Sequence, residues 1–228
     1  MNRMCVVYFL WMYNAEKHIP HMYIINMTTW IKHNKGMSFH IVHKNEFDSI
    51  IRSTRYSSVY NNYQKDIQRC DFARYFLLAT RGGVYLDMDM VYKRPLSMLK
   101  STYPEGKVFL ATETVLTDEQ SEEIQEFSIR GGVPEHKVRV ANYFMMSKRK
   151  HAFWKYVFKL IHKRKNLKVQ EQYDIIYTTG PDLITTAYHN YIADNPDDNT
   201  VILLSKEEAD TYFEHQSIGS WKCGELES

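Results

Sequence analysis

Cysteine is scarce in this sequence. Its 3 thiols, Cys5, Cys70 and Cys223, lie too far apart for a zinc cluster or a redox pair, and an odd count does not suggest a disulfide framework. Free buried thiols in a reducing compartment are the expectation. An excess of one charge is also missing: 29 Lys and Arg against 27 Asp and Glu leave a net +2, too little to imply nucleic acid, although the 10 His add positive charge at mildly acidic pH. No apolar run reaches membrane length. The apolar start, residues 4–12, lacks a small-residue cleavage site and has Arg3 as the lone charge before it, so neither anchor nor signal peptide is indicated. A cytoplasmic protein is expected.

What is there describes a globular chain. Hydrophobic residues make up 44% and charged residues 25% of 228, the balance of a folded domain rather than a disordered tail. That length buries roughly 70% of its unfolded surface around one core. A single domain over residues 1–228 is the economical organisation.

The stretch that carries chemistry is 71–89, DFARYFLLATRGGVYLDMD. Residues 71–80 hold no Gly or Pro and suit a buried helix, so Asp71 and Arg74, three apart, project from one face. Gly82 and Gly83 can take backbone angles closed to other residues, and so end the helix and turn the chain. Residues 84–92 then read as one continuous strand whose period of two puts Tyr85, Asp87 and Asp89 on a common face. Two carboxylates held that close repel, and burying either one unpaired is costly, so the arrangement asks for a cation. Oxygen ligands suit Mg²⁺ or Mn²⁺ better than zinc and leave positions open for phosphate oxygens.

Asp-x-x-Arg, a helix, then Gly-Gly-x-Tyr-x-Asp-x-Asp closely resembles the sugar-nucleotide-binding signature of glycosyltransferase family 32, which is related to the glucosylating clostridial toxins. The rest of the chain accommodates that resemblance. Residues 5–11 are a continuous apolar run, the pattern of a central strand. Residues 21–33 suit a covering helix and 38–43 a second strand, parallel to the first across a crossover. Ligands of such sheets sit beyond the carboxyl ends of the strands, which places Trp11 to stack on a nucleobase. The resemblance places a His three residues before this Trp, where the chain has Tyr8. Pro95 ends the key strand, and 108–112 is a further short one. Residues 117–127 form an acidic segment read as a solvated helix, with 130–134 able to hinge it as a lid. Residues 148–168 form a basic helix with Phe153, Trp154, Val157, Phe158 and Ile161 as its apolar stripe; its cationic face is solvated or makes a peripheral membrane contact.

The resemblance implies an α/β fold of the GT-A type, with a mixed, mostly parallel sheet flanked by helices, and a hexosyltransferase using a nucleoside-diphosphate sugar. It implies Asp89 on the metal directly, with Asp87 direct or through water, and Asp71, Arg74, Tyr85 and Asp87 on the sugar, ribose or phosphates. Asn142, in a string like the family's Asn-Ala-x-x-x-(Ala/Met)-Ser segment, would face the transferred sugar. Thr179 and Gly180, in a Thr-Gly-Pro motif that opens a helix at Pro181, would shape the sugar and acceptor pocket. His215, Ser220 and Trp221 resemble the closing His and Ser-Trp element, with His215 on the metal and the other two on phosphate. UDP-hexose ranks ahead of GDP-mannose as donor, the acceptor is a hydroxyl of a glycan, glycolipid or protein, and transfer is retaining. Two rivals use the same residues: a metal-dependent nucleotidyltransferase or phosphodiesterase, and a non-catalytic protein that binds sugar nucleotides or glycans.

Overall fold

The structure, a computed structural model, describes residues 5–13, 18–127 and 136–218. Ser220, Trp221, Cys223 and the 130–134 hinge lie outside the described residues.

Strand β1 (Cys5–Trp11) alternates Val7, Phe9 and Trp11 into one core with Tyr8 and Leu10 into a second. Apolar side chains on both faces require cover on both faces, which makes β1 an interior strand. Helix α1 (His21–His33) lays Tyr23, Met27 and Trp30 into the same core as Trp11, and β2 (Met37–His43) returns parallel to β1. The expected strand, helix, strand opening is therefore present. The loosely patterned residues that follow form two short helices, α2 (Lys44–Arg52) and α3 (Ser57–Asn61).

Helix α4 (Asp66–Arg81) is buried along Asp71–Ala79, which is why its sequence shows no polar stripe. It stops at Gly82, with φ +72°, and Gly83 follows with φ +116°. A Cβ at Gly83 would lie 2.3 Å from the Val6 carbonyl oxygen, so β3 (Gly83–Leu86) can approach β1 there because the residue has none.

The strand expected over 84–92 is not continuous. β3 ends at Leu86, residues 87–89 turn, with Met90 N–H donating to the Asp87 carbonyl at 3.3 Å, and β4 (Met90–Tyr92) belongs to a different sheet. Tyr85 and Asp87 keep the shared face that a strand period gives them. Asp89 arrives by the turn instead. The physical reason is visible on α1, where Asn26 Nδ2 donates to the Met88 carbonyl at 3.2 Å and Trp30 Nε1 to the Met90 carbonyl at 2.8 Å. These bonds replace the strand partners that the turn gives up.

Downstream come α5 (Ser97–Thr102), β5 (Val108–Val115), α6 (Asp118–Phe127), β6 (Val138–Ser147), α7 (Phe153–Arg164), α8 (Gln172–Thr178), α9 (Pro181–Asp194), β7 (Val201–Leu204), α10 (Lys206–Tyr212) and β8 (Phe213–His215). The main sheet runs β2-β1-β3-β6-β5-β7, with β6 antiparallel to both neighbours and the other pairs parallel. The carboxyl ends of β1, β3 and β5 therefore share one sheet edge. A two-stranded antiparallel ribbon, β4 with β8, stands beside that edge. Among the described residues no helix is long and apolar enough to cross a membrane.

Candidate active site

A cavity of about 440 Å³ opens at the edge where β1, β3 and β5 end, lined by Trp11, Asp71, Arg74, Asp87, Asp89, Asn142 and His215 among others. One wall is a buried polar cluster. Arg74 Nη2 lies 3.2 Å from Asp71 Oδ1 and Nη1 lies 3.3 Å from Asp87 Oδ1, so one guanidinium spans the helix and the strand end. Its plane sits over the Tyr85 ring at 4.6 Å, and Nη1 also donates to the Asn142 carbonyl at 2.8 Å. Tyr85 in turn donates its hydroxyl to Asp87.

Asp71 accepts three hydrogen bonds or ion-pair contacts. Besides Arg74, Asn142 Nδ2 donates to Oδ1 at 3.0 Å and Thr179 Oγ1 to Oδ2 at 2.9 Å. Burial pushes the Asp71 carboxyl up to about 6, against the opposing pull of Arg74. Asp87 is also held above the usual carboxylate range, by burial first, with Arg74 pulling the other way. Both oxygens of Asp71 are thus directed by the protein, whereas the contacts of Asp87 with Arg74 and Tyr85 both fall on Oδ1.

The opposite wall brings the chain's end back to the aspartates. His215 Nε2 is 3.3 Å from Asp89 Oδ1, and the Ile218 N–H donates to Asp89 Oδ2 at 3.1 Å. The His215 ring packs on Tyr143 with centroids 4.1 Å apart, which fixes its orientation. Burial acts to raise the Asp89 carboxyl, but the His215 hydrogen bond and charge carry it below its ordinary value. The same pair raises the His215 imidazole against its own burial. Ligand atoms of Asp87, Asp89 and His215 all lie within 4.8 Å of one another. Two carboxylates and an imidazole lining the cavity fit a divalent cation.

Of the residues singled out in the sequence, Trp11, Asp71, Arg74, Tyr85, Asp87, Asp89, Asn142, Gly180 and His215 meet at this cavity. Trp11 is 4% exposed and edge-on to Tyr13, with centroids 4.7 Å apart. Thr179 is fully buried and acts on Asp71 rather than standing in the cavity wall. Gly180 caps α9 ahead of Pro181 in the first turn. That helix start is locked by Asp182, which receives Arg139 Nη2 at 3.2 Å and Arg164 Nη1 at 3.5 Å, with the Tyr173 hydroxyl at 3.0 Å. This network was not legible in the sequence, because Arg139, Arg164 and Asp182 stand on three different elements and each reads as an ordinary surface charge. Tyr143 and Glu113 also line the cavity without having been singled out.

With that geometry in place, comparison with known proteins decides the family. Residues 12–128 match the family described as "Glycosyltransferase sugar-binding region containing DXD motif", which takes in the helix, the glycine pair and both aspartates. The chain belongs to this family. It is 25% identical over 193 residues to an uncharacterized glycosyltransferase of Acanthamoeba polyphaga mimivirus, covering 78% of this chain and 64% of that one. It is 34% identical over 87 residues to the initiation-specific alpha-1,6-mannosyltransferase of Candida albicans, covering 36% of this chain and 22% of the relative. The chain thus spans less than two thirds of the length of these curated relatives. Among solved structures, the PaToxG glycosyltransferase superposes with a TM-score of 0.53 at 13% identity, over 83% of this chain and 70% of that one. The ligand-free glycosyltransferase domain of the YGT toxin gives 0.50 at 9% identity, over 88% and 80%. The fold of this DXD-family chain is the GT-A type.

Proposed function

We propose that this chain is a divalent-metal-dependent hexosyltransferase that moves a sugar from a nucleoside diphosphate to an acceptor hydroxyl. The observation that carries the reading is the convergence of Asp87, Asp89 and His215 within 4.8 Å at the mouth of a cavity whose other wall is the Asp71–Arg74 pair. A divalent cation held by Asp87, Asp89 and His215 would supply positive charge against the two phosphates of a donor.

The protein's own groups supply the rest. Asp71, held by Arg74, Asn142 and Thr179, offers a fixed carboxylate to sugar hydroxyls. Arg74 places a permanent charge between that sugar site and Asp87. In the reaction the acceptor oxygen bonds to the anomeric carbon as the bond to the β-phosphate oxygen breaks. The bonding pair leaves with the diphosphate, and the acceptor's proton passes to a phosphate oxygen of that leaving group. Fixed charges aimed at the departing diphosphate lower the barrier without reorganisation at the moment of reaction. Transfer with retention follows from the resemblance to family 32.

Names of relatives support a hexose donor: two of them are called mannosyltransferases, the second being inositol phosphoceramide mannosyltransferase 1 of Schizosaccharomyces pombe, 46% identical over 43 residues. UDP-hexoses and GDP-mannose are therefore the donors to test. The acceptor is a glycan, glycolipid or protein hydroxyl. A thermal-shift panel of these donors, with and without Mn²⁺, tests the assignment, because a ligand at a hundred times its Kd adds about 2.7 kcal/mol. A metal-dependent rise with one donor is expected. No shift with any of them removes the donor assignment, and release of intact sugar phosphate would move the protein to the phosphodiesterase class.

A further inference from the structure

Glu113 lines the cavity near the carboxyl end of β5, and among the described residues its carboxylate has no hydrogen bond and no ion pair. Burial raises its carboxyl, while Arg139 and His215 pull the other way through charge alone. The other cavity carboxylates are all engaged: Asp66 by Arg69, Asp71 by Asn142 and Thr179, Asp87 by Tyr85 and Arg74, Asp89 by His215 and the Ile218 amide. A half-buried carboxylate left without a donor is costly, and a ligand bearing a hydroxyl removes that cost.

The sheet order says which ligand this is. Along the shared edge stand Trp11 at the end of β1, Asp87 after β3, Asn142 and Tyr143 on β6, and Glu113 on β5. Two strand spacings separate β3 from β5, roughly 10 Å. On the proposed function, on which this inference rests, the nucleoside lies towards β1 and the diphosphate at Asp87 and Asp89. An anionic Glu113 would repel phosphate, so the ligand nearest it is neutral. The transferred sugar already has Asp71, Arg74 and Asn142 on the far wall. What remains at the β5 end is the incoming acceptor.

We propose that Glu113 is the acceptor-binding carboxylate, accepting a hydrogen bond from a hydroxyl of the acceptor and setting which hydroxyl reaches the anomeric carbon. The irregular pairing of β5 with β6 between Leu110 and Thr114 fits this role, because it re-aims the side chains at the strand's end towards the cavity.

The test uses the whole chain with Mn²⁺, the nucleotide sugar giving the largest thermal shift, and a panel of methyl hexosides as acceptor probes. Glu113→Ala is expected to raise the acceptor KM about tenfold, the loss of one charge-assisted hydrogen bond, and Glu113→Gln to recover part of it. Donor Kd by calorimetry is expected to stay within about twofold of wild type on the same scale. An unchanged acceptor KM in Glu113→Ala overturns the assignment. So does donor binding weakened along with its Mn²⁺ dependence, which would put Glu113 on the cation side. A lower melting point of ligand-free Glu113→Gln would reveal a partner within the protein and count against it too. Absence of donor binding by the wild type is a separate result: it removes the transferase reading itself, and this inference with it.

Discussion

Arg74 Nη1 stands 3.3 Å from Asp87 Oδ1 while Nη2 of the same guanidinium stands 3.2 Å from Asp71 Oδ1, and Arg74 is 3% exposed. One buried cation therefore serves two carboxylates on two different elements. Replacing it with Ala leaves Asp71 buried and Asp87 half-buried without their shared partner. Arg74→Ala is expected to destabilise the fold by about 3–5 kcal/mol in urea unfolding. Arg74→Lys keeps the charge but not the fork, and should fall between that variant and wild type. Equal stability of all three would show that the two contacts contribute nothing net.

Asp89 is held by His215 and a backbone amide rather than by the hydrophobic core, so Asp89→Asn should melt close to wild type in the absence of ligand. Its expected defect is loss of the Mn²⁺-dependent part of the thermal shift with nucleotide sugar, together with transfer activity. Retained metal dependence would take Asp89 out of the cation site.

The raised carboxyl of Asp71 predicts a pH signature. Its folded value is about 6 against an ordinary 3.8, so the folded state keeps a proton that the unfolded chain has already released. Stability from this group is fully present below the unfolded value and is lost as pH rises through about 6. The limiting slope is about 1.4 kcal/mol per pH unit. Urea unfolding of wild type and Asp71→Asn across that window should show a shallower slope in the amide variant, the remainder belonging to the other raised carboxyls, Asp87 and Glu113. Parallel curves would assign the titration elsewhere.

Asp182 joins Arg139 on β6 and Arg164 on α7 to the first turn of α9. Asp182→Ala leaves two buried guanidinium groups facing one another, and a loss of about 3–5 kcal/mol is expected in equilibrium unfolding. Because Gly180 and Pro181 line the cavity just before it, donor affinity measured by calorimetry should weaken in Asp182→Asn even where the fold survives. Donor affinity at the wild-type level would confine the network to stability.

Much of the site was legible because the residues that build it are local. Asp71, Arg74, the two glycines, Tyr85, Asp87 and Asp89 fall within 19 residues, so helix and strand periods suffice to set most of their directions. The expected run of strand through Asp89 misled at one point: α1 supplies hydrogen bonds from Asn26 and Trp30 that let the chain leave the sheet, and no local pattern encodes a partner 60 or more positions away. His215 was signalled by its closing motif, although the ring of Tyr143 that orients it was not. Glu113 gave one faint cue, a lone acid in an otherwise apolar and hydroxylic strand, whose meaning depends on which neighbours the sheet order supplies.

The β4–β8 ribbon ties residues 90–92 to 213–215, and Gln216 N–H donates to the Asp89 carbonyl at 3.2 Å. His215, one of the three candidate cation ligands, is thereby contributed by a segment over 120 positions downstream of the other two, Asp87 and Asp89. On the proposed function, filling the site would restrain this segment further, so part of the binding energy of metal and nucleotide would go into tightening it. Amide exchange from 213 to 218 should slow on loading more than exchange within β1, and weakening the ribbon at Phe213 should lower apparent affinity with no ligand contact changed.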